Sequence, residues 1–202
     1  MIRIPGVTRA DPLVQARPRP APPGPADLVT AFRGLLVVGL ALVLGDALLA
    51  AEPTRTWWVA WVGIVVWALD SLDGYVARRT GTASDRGALL DSGVDGSLVL
   101  ALSLAHVGGA PWALVGGLLW PAFLLVQAWR PSWRRTLPHS PRRKIAGGTL
   151  TGTLAIAAAP FWPVVAVQVA VALAVLLVAW SFLVDVRWLE RAAAVAPAAR
   201  AS

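Results

Sequence analysis

The residues best suited to chemistry are two pairs of aspartates in the stretch DSLDGYVARRTGTASDRGALLDSGVD, residues 70–95. Asp70 and Asp73 are three apart and Asp91 and Asp95 four apart, so on helices each pair shares one face. The short segment between the pairs lets them meet. Carboxylates offer only hard oxygen donors, the set that selects Mg²⁺ or Mn²⁺, and four of them suffice for two ions. Two ions about 3.5–4 Å apart clamp a diphosphate and stabilise both the attacking and the leaving oxygen of a displacement at phosphorus. The plain alternative is that each aspartate caps a helix end or sits among solvated headgroups. That explains a single aspartate more easily than four in two helical pairs. With 0 cysteines, disulfides, thiolate metal sites and cysteine nucleophiles are excluded.

The elements that must position these acids are membrane helices. Of 202 residues, 57% are hydrophobic and 14% charged, against roughly 25% charged in an ordinary soluble domain. The net charge of +7 is spread between apolar stretches rather than gathered on one polar face, which suits anionic lipid or a phosphorylated substrate and not nucleic acid. Residues 1–26, rich in Pro and Arg, read as a disordered cytoplasmic tail without the apolar core of a signal peptide. Residues 27–190 read as one all-α integral membrane domain, and residues 191–202 as a C-terminal cytoplasmic tail. Apolar runs predict six transmembrane helices at about 32–50, 57–77, 93–108, 111–129, 146–161 and 163–184.

Arginine and lysine cluster after the second, fourth and sixth runs, whereas the alternate loops carry only Arg55. The positive-inside rule then predicts a multi-pass protein of the cell membrane, with both termini and the aspartates at the cytoplasmic face. Trp57, Trp58, Trp129, Trp133, Trp162 and Trp188 fall near the ends of predicted spans and read as interfacial anchors. A charge at mid-bilayer depth costs about 2.5–3.5 kcal/mol, so four unpaired carboxylates there would cost roughly 10 kcal/mol. They must face water or share cations.

The pattern Asp70-x2-Asp73-Gly74-x2-Ala77-Arg78-x8-Gly87-x3-Asp91-x3-Asp95 resembles the signature of the CDP-alcohol phosphotransferase family at every fixed position. Pro25-Ala26-Asp27-Leu28-Val29-Thr30 is similar to that family's entry into its first membrane helix. The resemblance implies transfer of a phosphate-linked alcohol group, often phosphatidyl, from a CDP-linked lipid donor to a polar alcohol acceptor with release of CMP, in phospholipid biosynthesis and by a homodimer. It implies that Asp70 and Asp91 bridge two Mg²⁺ ions, that Asp73 binds one, and that Asp95 binds the other and acts as the base. Gly74 and Gly87 would give the nucleotide or a second helix room at the backbone, Arg78 would meet a phosphate, and Ser84, Asp27 and Thr30 would face the nucleotide. Residue chemistry is compatible with these roles, since Gly and Ala leave space and Arg offers a bidentate donor. Helix packing through small residues, topogenic charge and ordinary caps account for the same positions more simply.

Arg33 reads first as a topogenic charge and second as a phosphate contact. Arg142, Arg143 and Lys144 read as a topogenic loop that could also receive the phosphate of an acceptor, and Arg187 shares that ambiguity. Asp46 and Asp185 read as interfacial. His106, at the predicted outer face, and His139, in a Pro-rich loop, lie away from the aspartates. Two other classes use membrane acids. A transporter or proton pathway places them near the bilayer middle on broken helices. An aspartate-rich prenyltransferase binds a diphosphate through Mg²⁺ but leaves Gly74, Ala77, Arg78 and Gly87 unexplained.

Overall fold

A computed structural model describes the backbone of residues 25–80, 85–130, 133 and 140–198, and the side chains of residues 28–70, 90–130, 133 and 140–193. The expected N-terminal tail therefore lies outside the described residues. Among those described there are six helices: α1 (Pro25–Leu49), α2 (Trp57–Thr80), α3 (Asp85–Leu104), α4 (Ala113–Trp129), α5 (Pro141–Ala157) and α6 (Val164–Ala198).

Their number matches the apolar runs, but their ends differ. Helices α1, α3 and α5 start earlier than the runs predict, and α6 continues to Ala198. Apolar runs mark only the part of a helix that suits hydrocarbon. Backbone hydrogen bonding continues through Arg, Glu and Ala wherever those side chains can reach water. Thus Arg142, Arg143 and Lys144 belong to the first turn of α5, which opens on Pro141, and not to a loop before it. The third helix ends earlier than expected, at Leu104, and residues 105–109 form turns.

The surface is as apolar as the interior. Leu35, Leu42 and Leu49 on α1 are exposed, as are Val165, Val169, Leu173 and Leu176 on α6. Stripes of this size have no aqueous partner and require lipid. The stretches Leu28–Leu49 and Val164–Ala193 are long and apolar enough to cross a bilayer unaided, while the apolar stretches Trp57–Asp70 and Ala113–Trp129 are shorter. The chain is a membrane protein.

Because lipid tails are no less apolar than leucine, close packing must hold the helices together. They form a ring in which α1 lies between α2 and α3, α4 bridges α3 to α6, and α5 closes between α6 and α2. Helix α3 also touches α2 and α5, which puts it at the centre of the packing. Small residues allow the approach. A Cβ on Gly117 of α4 would meet the Ser103 hydroxyl at 2.8 Å and the Leu100 backbone at 3.0 Å. A Cβ on Gly96 would fall 2.5 Å from the ring of Trp120. That indole from α4 therefore lies against α3 one residue beyond Asp95, and it sets the height of the aspartate helix.

The connections after α1, α3 and α5 meet at one end of the ring. Thr54 donates to the carbonyl of Ala105 at 2.8 Å, Gln168 donates to that of Gly109 at 2.8 Å, and Trp57 stacks on Phe161. Arg55 donates to the carbonyls of Ala157 and Ala159, both at 3.0 Å. This is why one arginine stands in an otherwise uncharged set of loops: it serves the orphan carbonyls at the C-terminal end of α5. At the end of α1, Ala51 adopts φ 55°, with Glu52 N–H bonded to Ala47 C=O and Ala51 N–H to Leu48 C=O. That is a left-handed helix cap made without glycine, at a steric cost of about 1–2 kcal/mol.

Candidate metal centre

At the opposite end, α1, α2 and α3 bring four charged side chains together. Asp70 comes from α2, and Asp91 and Asp95 come from adjacent turns of α3. One carboxylate oxygen from each lies within 4.8 Å of the others. Arg33 of α1 reaches all three: Nη1 donates to Asp91 Oδ1 at 2.8 Å, while Nη2 bonds Asp95 Oδ1 and stands 3.2 Å from Asp70 Oδ1. Its side chain is 0% exposed, whereas those of Asp70, Asp91 and Asp95 are 31%, 38% and 44% exposed. The guanidinium is therefore the inner floor of the cluster and the carboxylates form its outer, water-reachable rim.

The reading of Arg33 as a topogenic charge or phosphate contact is corrected by this geometry. Arg33 is the lone charge of α1 between Asp27 and Asp46, and at that depth an unpaired charge would be costly. Its three carboxylate partners offset the cost. The sequence signal was available in outline, since an arginine inside an apolar helix must find an acid. Which acid depends on α1 packing beside α3.

Thr30 lies on α1 one turn before Arg33 and is half-buried. The backbones of Asp73, Gly74, Ala77 and Arg78 continue α2 past Asp70, and that of Gly87 lies in the first turn of α3. Their side-chain positions, like that of Asp27 and the whole of Ser84, are outside the described residues. A groove of about 550 Å³ adjoins the α2 part of the site, lined by Trp67, Lys144, Gly148, Thr149, Gly152 and Ile156. Trp67 is one turn from Asp70.

Two further readings change. Asp185 is buried rather than interfacial, where it bonds Arg142 and stands 3.7 Å from Arg143. This pairing also offsets the unfavourable placement of two cations at the N-terminus of α5. Trp133 is likewise buried, with its Nε1–H donating to Glu190 at 2.7 Å, and so does not face lipid. His106, as expected, is remote from the aspartates and has Nε2 3.0 Å from the Leu154 carbonyl.

The donor set suits a hard divalent cation: it is all oxygen, converging and open to water on one side. The family model for CDP-alcohol phosphatidyltransferase matches residues 25–196, which takes in all six helices. The chain belongs to the CDP-alcohol phosphatidyltransferase family. No curated protein and no solved structure gives a match. Membership makes this phosphatidyltransferase homologue a transferase with a CDP-alcohol donor and an alcohol acceptor, in a family that typically depends on a divalent metal.

Proposed function

We propose that the protein transfers a phosphatidyl group from a CDP-linked lipid to a polar alcohol in phospholipid biosynthesis, releasing CMP, with Asp70, Asp73, Asp91 and Asp95 holding two Mg²⁺ or Mn²⁺ ions. The observation that carries this reading is the convergence of Asp70, Asp91 and Asp95 in a chain matched by the family model over residues 25–196. When bound, the ions would supply positive charge to the diphosphate oxygens and the departing CMP. The balance of charge favours such a donor. Four carboxylates and Arg33 together carry −3, so two divalent cations leave the site at +1 and attractive to a diphosphate.

The residues divide the work. Asp70 and Asp91 bridge the ions, and Asp73 and Asp95 each complete one ion's ligand set. Asp95, the most exposed of the three described acids, accepts the proton of the acceptor hydroxyl as its oxygen attacks the donor's β-phosphorus. Arg78 binds a phosphate, Gly74 and Gly87 admit the nucleotide, and Asp27, Thr30 and Ser84 face it. The apolar groove beside Trp67 suits a donor that carries acyl chains.

Purified protein incubated with CDP-diacylglycerol, Mg²⁺ and a panel of polar alcohols should release CMP only when both metal and one of the alcohols are present. No CMP under any of these combinations would overturn the reading. The resemblance also implies a homodimer, which light scattering of the detergent-solubilised protein would test.

We place all six helices across the cell membrane, with the metal centre and both termini on the cytoplasmic side. The support is the arginine asymmetry and the meeting of alternate connections at the end of the ring remote from the aspartates. Reporter fusions at either terminus should give cytoplasmic signals. An extracytoplasmic signal from either one is incompatible with this topology.

A further inference from the structure

We propose that Arg33 is a built-in counter-ion of the carboxylate cluster: it holds Asp70, Asp91 and Asp95 together before metal arrives, and its charge weakens the site's grip on the metal. The proposal rests on the metal-site reading above but adds a residue and a property which that reading does not contain.

Three carboxylates with oxygens within 4.8 Å of one another repel, and without a cation the cluster would spread or take up protons. Arg33 is placed to prevent both. One nitrogen serves Asp91 and the other serves Asp70 and Asp95, so a single planar group ties α2 to α3 from α1. Its fork geometry suits this better than a point charge would. Dependence runs both ways, because a guanidinium with 0% exposure in an apolar helix would be costly without those acids.

The placement also separates the two cation positions. Arg33 approaches from the interior and contacts Oδ1 of each aspartate, while each carboxylate remains partly exposed on the other side. A divalent ion entering from water thus meets acids already converged, and it does so against a fixed positive charge a few ångströms beneath. At such separations the repulsion is large enough to lower metal affinity by about tenfold or more.

The test uses the full-length protein in detergent. Thermal unfolding is measured without metal, and Mn²⁺ binding is followed by electron paramagnetic resonance, for wild type, Arg33→Met, Arg33→Lys, Asp95→Asn and the double variant Arg33→Met/Asp95→Asn. Arg33→Met should unfold at a lower temperature without metal, bind Mn²⁺ about tenfold or more tightly, and gain more stability from it than wild type does. Arg33→Lys keeps the charge and should keep a Kd close to that of wild type. In the double variant one negative and one positive charge leave together, so the loss caused by Arg33→Met should be smaller in the Asp95→Asn background than in wild type.

Equal losses in both backgrounds, unchanged or weaker Mn²⁺ binding by Arg33→Met, or a double variant that fails to fold would each overturn the proposal, since Arg33 would then serve packing alone. If Arg33→Met folds only with metal present, the proposal is supported. Wild type that binds Mn²⁺ yet never releases CMP would sink the transferase reading and leave this one intact. Wild type that binds no Mn²⁺ would overturn the affinity claim directly.

Discussion

Asp70→Ala and Asp91→Ala each reduce metal-dependent CMP release to the level of a protein-free control. The expectation follows from their position: one acid ends the membrane part of α2, the other opens the matching face of α3, and their oxygens meet within 4.8 Å. Removing either leaves too few ligands to bridge two ions. Loss of the charge stabilisation those ions supply amounts to several kcal/mol. At about 1.36 kcal/mol per factor of ten, that corresponds to a rate loss on the order of 10³-fold or more.

The fold should survive either change, because Arg33 retains two carboxylates in each variant and is not left as an orphaned buried charge, which would cost about 3–5 kcal/mol. Arg130→Ala is the control. It breaks an exposed pair with Glu190 of the kind worth about 0–1 kcal/mol, and turnover should be unchanged. Near-normal CMP release by either aspartate variant in saturating Mg²⁺ would show that the assigned bridging roles are wrong.

Asp95→Asn should lower turnover by roughly 10² to 10⁴ while donor binding persists. An alcohol hydroxyl is a poor nucleophile at neutral pH, and a carboxylate within about 3 Å of it can take the proton as attack proceeds. Asp95 lies one turn beyond Asp91 and is the most exposed of the three acids, so it borders the space an acceptor would enter. Asparagine keeps the size and one carbonyl oxygen, which can still accept from Arg33 and still ligate a metal. It cannot serve as the base. Binding of CDP-diacylglycerol and turnover must be measured on one preparation. If both are lost, the metal site has collapsed and Asp95 is chiefly a ligand. If turnover stays near wild type at saturating metal, another group takes the proton.

Much of this protein is local in origin and therefore visible in the chain. Apolar runs of membrane length predict the helices, because each satisfies its own backbone hydrogen bonds without help from a neighbour. Spacings of three and four place Asp70 with Asp73 and Asp91 with Asp95 on single faces, and the residues between them carry the family signature. Helix ends were less legible. The apolar count stops where hydrocarbon stops, while α1, α3, α5 and α6 run on into residues that hydrogen-bond equally well in water.

What the sequence could not decide is which helix stands beside which. Arg33 and Asp91 are 58 residues apart, Arg142 and Asp185 are 43 apart, and Arg55 finds its carbonyls more than 100 residues away. No periodicity within a helix encodes such pairings. They depend on the order of helices around the ring, itself set by where small residues such as Gly96 and Gly117 let one helix approach another. Composition and spacing therefore determined a membrane protein with four well-spaced acids. Only the tertiary structure placed a buried arginine beneath Asp70, Asp91 and Asp95, because a charge inside an apolar helix is stable only where a neighbouring helix brings its counter-charges to the same depth.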